Sequence, residues 1–278
     1  KIPEFSYVEI QGTPYEQIVP YISGKKLDNL FIQDSGMKDL LPLSDVIIKD
    51  SLDIMDSGLT SLEGIEKNPS LQEIQIQWNP EIDDLSPLLL ISGLKKVRIS
   101  GNMIPAASTI EKEAAFDIFV DDPFEDWRLD DAIREWNGGN DDIELQTLNS
   151  ISEIGIIGDQ IFDPQTEDYF IGQDKCLLNG EEIERVWIDN LAGLSALTNL
   201  EKLTLMCIEN DNFDQLSSLP ALKTLTVSSD MSEVVDRFRG QTPFEIIVDE
   251  PLISDEGLMT AVQQILGKGK IEADDLPQ

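Results

Sequence analysis

Apolar residues between positions 71 and 104 follow a spacing that fits neither an α-helix nor a simple alternating strand. The order L-x-x-L-x-L, followed five or six residues later by another apolar position, begins there twice. Its members are Leu71, Ile74, Ile76, Ile82, Leu85 and Leu88, and then Leu94, Val97, Ile99 and Ile104. This spacing predicts a repeated coil with one short strand in each turn.

The same register continues on both sides of this stretch. Upstream, the apolar positions of one turn recur 22 residues later. They are Leu30, Ile32, Met37, Leu40 and Leu43, followed by Leu52, Ile54, Leu59, Leu62 and Ile65. Downstream, a second array covers 183–250, in which Leu203 and Leu225 are again 22 residues apart. We therefore expect strands of one type along most of the chain.

A column of small polar residues supports this register. Ser35, Ser57, Asn79 and Asn102 each come three residues after the second strand position of their turn. Where the chain leaves a strand and turns sharply, its peptide groups face inward and need hydrogen-bond partners. We expect these four side chains to supply them.

Two segments, LQEIQIQWNPEI and LKKVRISGNMI, match the motif L-x-x-L-x-L-x-x-N-x-L nearly in full. With the 22-residue period and the segments KDLLPL, DDLSPL and AGLSAL, the chain resembles the leucine-rich-repeat family, most closely its bacterial, internalin-like type. The resemblance implies an α/β fold: a right-handed solenoid with a parallel sheet on its concave face and short turns or helices on its convex face. Serine replaces the motif asparagine at Ser35 and Ser57, which weakens the match there.

The pattern predicts a single domain, 1–278, in five segments. These are an N-terminal cap (1–26), regular repeats (27–104), irregular coils with an insertion (105–182), further repeats (183–250), and a C-terminal cap helix with a polar tail (251–278). Within the irregular part, Asp122 and Pro123 are expected to start a helix that ends near Gly138. A second helix is expected over 254–267. The apolar pair Ile143 and Leu145 has no clear place in the register.

Composition narrows the function. Fifty-four acidic and twenty basic residues give a formal net charge of -34, which repels nucleic-acid phosphates and anionic lipid surfaces. We therefore expect no nucleic-acid partner, and the acidity serves either solubility or the attraction of cations and basic partners. No apolar run approaches the ~18 residues of a membrane-spanning helix. Any export signal or anchor is expected to lie outside this sequence.

The sequence also excludes common chemistries. It contains no histidine, which removes Ser-His and Cys-His nucleophilic pairs and the histidine zinc sites. The acidic turns do not match a calcium-binding loop. We therefore predict neither catalysis nor a cofactor. Cys176 and Cys207 fit neither a disulfide framework nor a metal cluster, and whether they pair stays open.

The residues between the inward apolar positions should face outward on the concave sheet, where large apolar side chains often mark recognition sites. The candidate binding residues are Phe31, Gln33, Asp53, Met55, Gln75, Gln77, Trp78, Arg98, Phe119, Trp187, Asp189, Thr204 and Met206. The register places Phe119 beside Ser100, and Trp187 between Gly155 and Thr204. The insertion over 162–182 either carries binding or forms a hairpin that protects the sheet.

We expect a non-catalytic module that binds a protein through this concave face. The family resemblance implies that the protein is bacterial and is exported or located at the cell surface. Two alternatives remain. One is a carbohydrate-binding or carbohydrate-processing surface protein that uses Trp78, Trp187 and nearby carboxylates, and the other is a passive spacer in a larger surface protein.

Overall fold

The computed structural model describes residues 4–140, 142–171, 176–210, 213–231, 235–236, 239–249, 257–258, 261–262 and 265. The chain divides into two compact units. The first unit contains Lys1–Pro123 and Asp141–Leu148, and the second contains Phe124–Asn140 and Asn149–Gln278. Most of the helix predicted over 254–267, and the tail after it, lie outside the described residues. The predicted limits of the five segments stay predictions.

The first unit is built on a seven-stranded sheet of described strands, which neighbour one another in chain order. They are β1 (Glu4–Gln11), β2 (Lys26–Gln33), β3 (Ile47–Met55), β4 (Glu73–Gln75), β5 (Lys96–Ser100), β6 (Asp117–Asp121) and β7 (Ile143–Glu144). Every neighbouring pair is parallel except β6 and β7, which are antiparallel. The unplaced segment at Ile143 therefore closes one edge of this sheet.

The helices are short. Four α-helices have both ends among the described residues: α1 (Tyr15–Ile22), α2 (Ile104–Ile110), α3 (Trp127–Trp136) and α4 (Leu145–Ser150). The 3-10 helices cover Leu41–Leu43, Ile65–Lys67, Ser86–Leu90, Gly101–Met103, Ala192–Ala196, Phe213–Ser218 and Ser229–Met231. Most of them lie between consecutive strands of the repeated pattern, where parallel pairing requires the chain to return to the start of the sheet.

The predicted inward positions form the core of the first unit. Leu30, Leu52, Ile74, Val97 and Ile118 are cross-strand partners from β2 to β6, and all five are buried. Successive side chains of a strand point to opposite faces, so the residues between them lie on the other face of the sheet.

The polar column is confirmed in its first three members. Ser35, Ser57 and Asn79 are buried, and the Asn79 amide accepts hydrogen bonds from the backbone N–H groups of Ser57 and Leu59 at 3.1 and 3.0 Å. It also donates to the carbonyl oxygens of Ile54, Ile76 and Gln77 at 2.9 to 3.1 Å. Asn102, however, is exposed. Its predicted role is taken by Ser100, whose hydroxyl oxygen accepts the backbone N–H of Trp78 at 2.8 Å.

Described strands of the second unit form three sheets. They are β8 (Glu153–Ile157), β9 (Gln160–Phe162), β10 (Tyr169–Ile171), β11 (Cys176–Leu178), β12 (Glu181–Ile183), β13 (Val186–Trp187), β14 (Lys202–Met206), β15 (Ile208–Glu209), β16 (Thr224–Ser228) and β17 (Glu245–Asp249). One sheet has the order β17-β16-β14-β8-β9, another joins β10, β11 and β12, and β13 pairs with β15.

The predicted leucine-rich-repeat solenoid, with one parallel sheet along the whole chain, is therefore wrong. The described strands are divided among separate sheets in two units, and antiparallel pairs join β6 to β7, β8 to β9, and β10 through β12. The apolar spacing predicts which residues of a strand face inward. It does not determine which strands become neighbours.

Two register predictions also need correction. Phe119 pairs with Arg98 and not with Ser100, because Ile118 and Val120 are the buried positions of β6. Trp187 does not lie between Gly155 and Thr204, because β8 pairs directly with β14. The chain turns at Cys207, where φ is 51°, and the residues after this turn pair with β13.

Helix α3 begins later than predicted. Asp126 is the residue that caps it, since its carboxylate accepts the backbone N–H of Arg128 at 3.0 Å. Asp122 instead adopts a left-handed backbone conformation, with φ 47°, directly after β6.

The insertion protects the second unit. Strands β10 to β12 form an antiparallel meander, and a disulfide joins Cys176 in β11 to Cys207. Leu178 and Ile183 of this meander pack with Met206, Ile157 and Phe162 in one buried cluster. Of the two alternatives for the insertion, the structure favours the protective one.

Candidate binding surface

The outward side of the seven-stranded sheet, which we name the open face, carries polar and aromatic side chains in rows across the strands. Its central row consists of paired residues Glu9, Phe31, Asp53, Gln75, Arg98, Phe119 and Glu144. The flanking rows contain Tyr7, Asn29, Ser51, Glu73, Lys96 and Asp117 on one side, and Gln11, Gln33, Met55, Gln77, Ser100 and Asp121 on the other. Most of these side chains remain at least partly exposed to solvent.

Ion pairs hold the basic residues of the open face in place. Asp142 forms ion pairs with Arg98 and with Lys96, whose Nζ lies 3.2 Å from the Asp142 carboxylate. Lys96 also lies over the ring of Phe119, at 4.3 Å from the ring centroid. Asp142 thus holds Arg98 and Lys96 in place, and the ring of Phe119 adds a second contact to Lys96. The positions of the two positive charges on this face are therefore defined.

Asp53 is the titratable group of this face with the largest shift. Partial burial raises its pKa from 3.8 to about 6, and the neighbouring Glu73 carboxylate adds to the increase, whereas the Arg98 guanidinium opposes it. Asp53 therefore changes its charge near neutral pH, at the centre of the face.

We expect Asp53→Asn to stabilise the protein more at pH 8 than at pH 4. Because the folded-state pKa is raised, the stability that Asp53 contributes is present below its unfolded pKa and is lost as the pH rises through about 6. Asparagine resembles the protonated form at every pH. Solvent screening of this partly exposed group limits the gain at pH 8 to about 1 kcal/mol. Urea unfolding at several pH values measures it.

The matched control is Asp117→Asn, which removes one negative charge from the same face. Its effect subtracts the general gain from lowering the net charge of an acidic protein. If the difference between the two variants is the same at pH 4 and pH 8, the assigned role of Asp53 is contradicted.

Buried polar atoms without a hydrogen-bond partner concentrate on the open face. Within the described residues there are four such side-chain atoms, and three of them are Asp53 Oδ1, Gln77 Oε1 and Arg98 Nε. The Arg98 Nε atom does lie 3.6 Å from a Glu73 carboxylate oxygen, which is longer than a hydrogen bond. An unpaired buried polar group costs about 1–3 kcal/mol and is uncommon in a folded protein.

The predicted site residues are divided between the two units. Nine of them belong to the first unit: Phe31, Gln33, Asp53, Met55, Gln75, Gln77, Trp78, Arg98 and Phe119. All except Trp78 lie on its open face. Trp78 follows β4 at one end of this face and is 47% exposed. Trp187, Asp189, Thr204 and Met206 belong to the second unit.

Three of the predicted exposed residues are buried. Met206 is 0% exposed because the disulfide-linked meander packs on it, and Thr204 is 7% exposed beside Gly155, where the ring of Phe162 covers the sheet. Gln77 is 4% exposed, because it extends along the face toward Asp121. Asp189 is exposed, and its backbone N–H donates to the Asp126 carboxylate of the second unit at 2.8 Å.

Sequence reasoning missed several residues of this surface. Glu73 and Lys96 lie two residues before Gln75 and Arg98 of the central row, and alternation alone could have added them to the outward set. Asp121, Asp122 and Asp142 had no such signal, because their places depend on the register of β6 and on the antiparallel β7.

Comparisons with known proteins add no family to this description. Neither the models of known protein families nor the curated proteins gave a significant match to the chain. Across the part of the chain that the structure describes, no helix combines the length and apolar character needed to cross a membrane. The same residues contain no group of three or more carboxylates and cysteines placed to hold a metal ion.

Proposed function

We propose that this chain is a non-catalytic module that binds a protein partner through the open face. The observation that carries the proposal is the concentration of unpaired buried polar atoms on this face, at Asp53, Gln77 and Arg98. When these side chains turn toward a partner that supplies the missing donors and acceptors, the cost of leaving these atoms unpaired is removed.

The composition of the face supports a protein ligand. Phe31, Phe119 and Met55 are partly exposed between amide and charged side chains, all on regular strands. Aromatic, methionine and arginine side chains are enriched at the centres of protein interfaces. Their positions on paired strands keep them ordered before binding, which lowers the entropic cost of association.

The disulfide supports a location outside the reducing cytosol. Cys176 and Cys207 are bonded, and disulfides persist mainly in exported and cell-surface proteins. We propose that the chain acts there, so its partner belongs to extracellular or cell-envelope proteins. The absence of histidine from the sequence agrees with a binding role, because it removes the most common general base.

Affinity capture from extracellular and cell-envelope extracts tests the proposal. The native chain is compared with an open-face variant that combines Phe31→Ala, Gln75→Ala and Phe119→Ala. These residues belong to the central row and leave the ion pairs of Arg98 intact. We expect the native chain to retain a partner, identified by mass spectrometry, and the open-face variant to retain about thirtyfold less.

The matched control combines Trp187→Ala, Thr226→Ala and Ile247→Ala, which remove exposed or partly exposed side chains from the second unit. Both triple variants must show the circular dichroism spectrum of the native chain. A partner lost equally from the two variants, or retained by both, contradicts binding through the open face.

A further inference from the structure

One end of the open face carries a row of residues in the left-handed backbone conformation. Five residues there have φ between 46° and 59°: Gly12, Asp34, Asp56, Trp78 and Asp122. Four of them directly follow a strand of the sheet, and Trp78 lies three residues after the end of β4. Aspartate and glycine tolerate this conformation, whereas a bulky residue such as tryptophan rarely adopts it. The turn geometry alone therefore does not explain the choice of Trp78.

Gln77 and Trp78 reach across the neighbouring strand. The Gln77 Nε2 group donates to Asp121 Oδ2, and the Trp78 Nε1–H donates to Asp122 Oδ2, both at 3.4 Å. Between them, at the end of β5, lies the small residue Ser100. We name Gln77, Trp78, Asp121 and Asp122 the Trp78 cluster. It combines an exposed indole, two carboxylates and an amide.

The amide of this cluster has one unused acceptor. Gln77 is 4% exposed, and within the described part of the chain its Oε1 atom accepts no hydrogen bond. The amide nitrogen donates to Asp121, which places the unpaired oxygen within the cluster. An unpaired buried carbonyl oxygen requires a donor.

The charge of the cluster selects a cationic donor. Asp121 and Asp122 are two of its members, Asp34 and Asp56 occupy the turns after β2 and β3, and the whole chain carries a net charge of -34. A carboxylate offers about four lone-pair sites, so each of these groups can accept further hydrogen bonds beyond those it already makes. The indole of Trp78 offers a face for cation–π contact.

A guanidinium group fits this set of acceptors better than an ammonium group. It presents five N–H donors in a plane, which can serve an amide oxygen and carboxylates together while its flat face stacks on the indole. Both hydrogen bonds that join the cluster are 3.4 Å long, at the weak end of the range, so small side-chain rotations can admit a ligand.

We propose that the Trp78 cluster binds an arginine side chain of the protein partner. This proposal rests on the proposed function, because it specifies the chemistry of the partner at one end of the open face. The arginine stacks on the Trp78 indole, pairs with Asp121 and Asp122, and donates a hydrogen bond to Gln77 Oε1.

Nitrogen–proton correlation spectra of the full chain test the proposal with a small probe. N-acetyl-arginine methylamide is titrated into the protein at 150 mM salt, and the indole N–H of Trp78 and the side-chain amide of Gln77 are followed. We expect saturable shifts of both signals. The citrulline analogue has nearly the same shape and no charge, and it should bind at least tenfold more weakly. The lysine analogue should also bind more weakly than arginine.

Several controls keep the test specific. The indole of Trp187 is 43% exposed and serves as an internal reference for general attraction to an acidic protein. Trp78→Asn, which tolerates the left-handed conformation, should abolish the Gln77 shifts. Gln77→Leu should weaken binding at least fivefold, whereas Gln75→Leu on the same face should not change it. Equal shifts at Trp187, equal binding of citrulline or lysine, or no binding at all would overturn the proposal.

The two proposals fail separately. The open-face variant used for affinity capture changes Phe31, Gln75 and Phe119 and leaves the Trp78 cluster intact. If that variant loses its partner while the arginine probe does not bind, the open face is the interface and the arginine site is wrong. If the probe binds while the open-face variant retains its partner as well as the native chain does, protein binding through this face is wrong.

Discussion

Asn79→Leu is expected to lower the free energy of unfolding by about 4 kcal/mol. The Asn79 side chain is fully buried and makes five hydrogen bonds to backbone groups at the ends of two successive strands, three at residues 54–59 and two at residues 76–77. Leucine has the same branching at Cγ and makes none of these bonds. Each backbone group left unpaired costs about 1–3 kcal/mol, and relaxation of the turn recovers part of the total. Urea denaturation of both proteins measures the difference.

Asn102→Leu is the matched control, because Asn102 occupies the equivalent sequence position but is exposed. Its side chain makes a single long hydrogen bond, at 3.4 Å, to the carbonyl oxygen of Pro80. We expect it to change the unfolding free energy by less than about 0.5 kcal/mol. Equal losses in the two variants would show that the buried polar column does not stabilise the first unit.

Replacing both Cys176 and Cys207 with serine is expected to cost about 3–4 kcal/mol. The bond closes a loop with a sequence separation of 31 residues, and its removal increases the entropy of the unfolded chain. It also releases the meander of β10 to β12, which covers Met206 and Phe162. Thermal unfolding of the second unit should therefore begin at a lower temperature in the double variant.

Treatment with a reducing agent provides the control for this prediction. Reduction should lower the melting temperature of the native chain and should leave that of the double serine variant unchanged. If reduction does not affect the native chain, or if thiol titration in denaturant without reductant finds two reactive thiols, the assigned disulfide is wrong.

The strand positions of the first unit could be predicted because they depend on local patterning. Leu30, Leu52, Ile74 and Val97 are buried as expected, since a strand with one covered face must alternate apolar and polar residues. The roles of Ser57 and Asn79 followed from the same register. They fill a fixed requirement of the turn, which is to satisfy inward-facing peptide groups.

The division into separate sheets could not be predicted, because it depends on pairings between distant segments. The turn at Cys207 separates the pairing of Met206 with β8 from the pairing of Ile208 with β13, and no local apolar spacing signals this change. Phe119 was placed two positions out of register. Phe116 and Ile118 have the apolar-x-apolar spacing of an inward pair, but the buried pair of β6 is Ile118 and Val120.

The candidate surface was predicted in part for the same reason. Phe31, Asp53, Gln75 and Arg98 follow from alternation within regular strands, and the structure aligns them in one row. The burial of Met206 could not be predicted, because it depends on a meander about 30 residues earlier in the chain. The Trp78 cluster likewise depends on contacts between residues 44 positions apart.

The central claim, that the open face binds a protein, is tested most directly by the dissociation constant of a captured and purified partner. It is measured by calorimetry for the native chain, for the variant with Phe31→Ala, Gln75→Ala and Phe119→Ala, and for the control variant of the second unit. We predict a dissociation constant about thirtyfold higher for the open-face variant, and an unchanged value for the control. An unchanged constant for the open-face variant, with its fold intact, would contradict the claim.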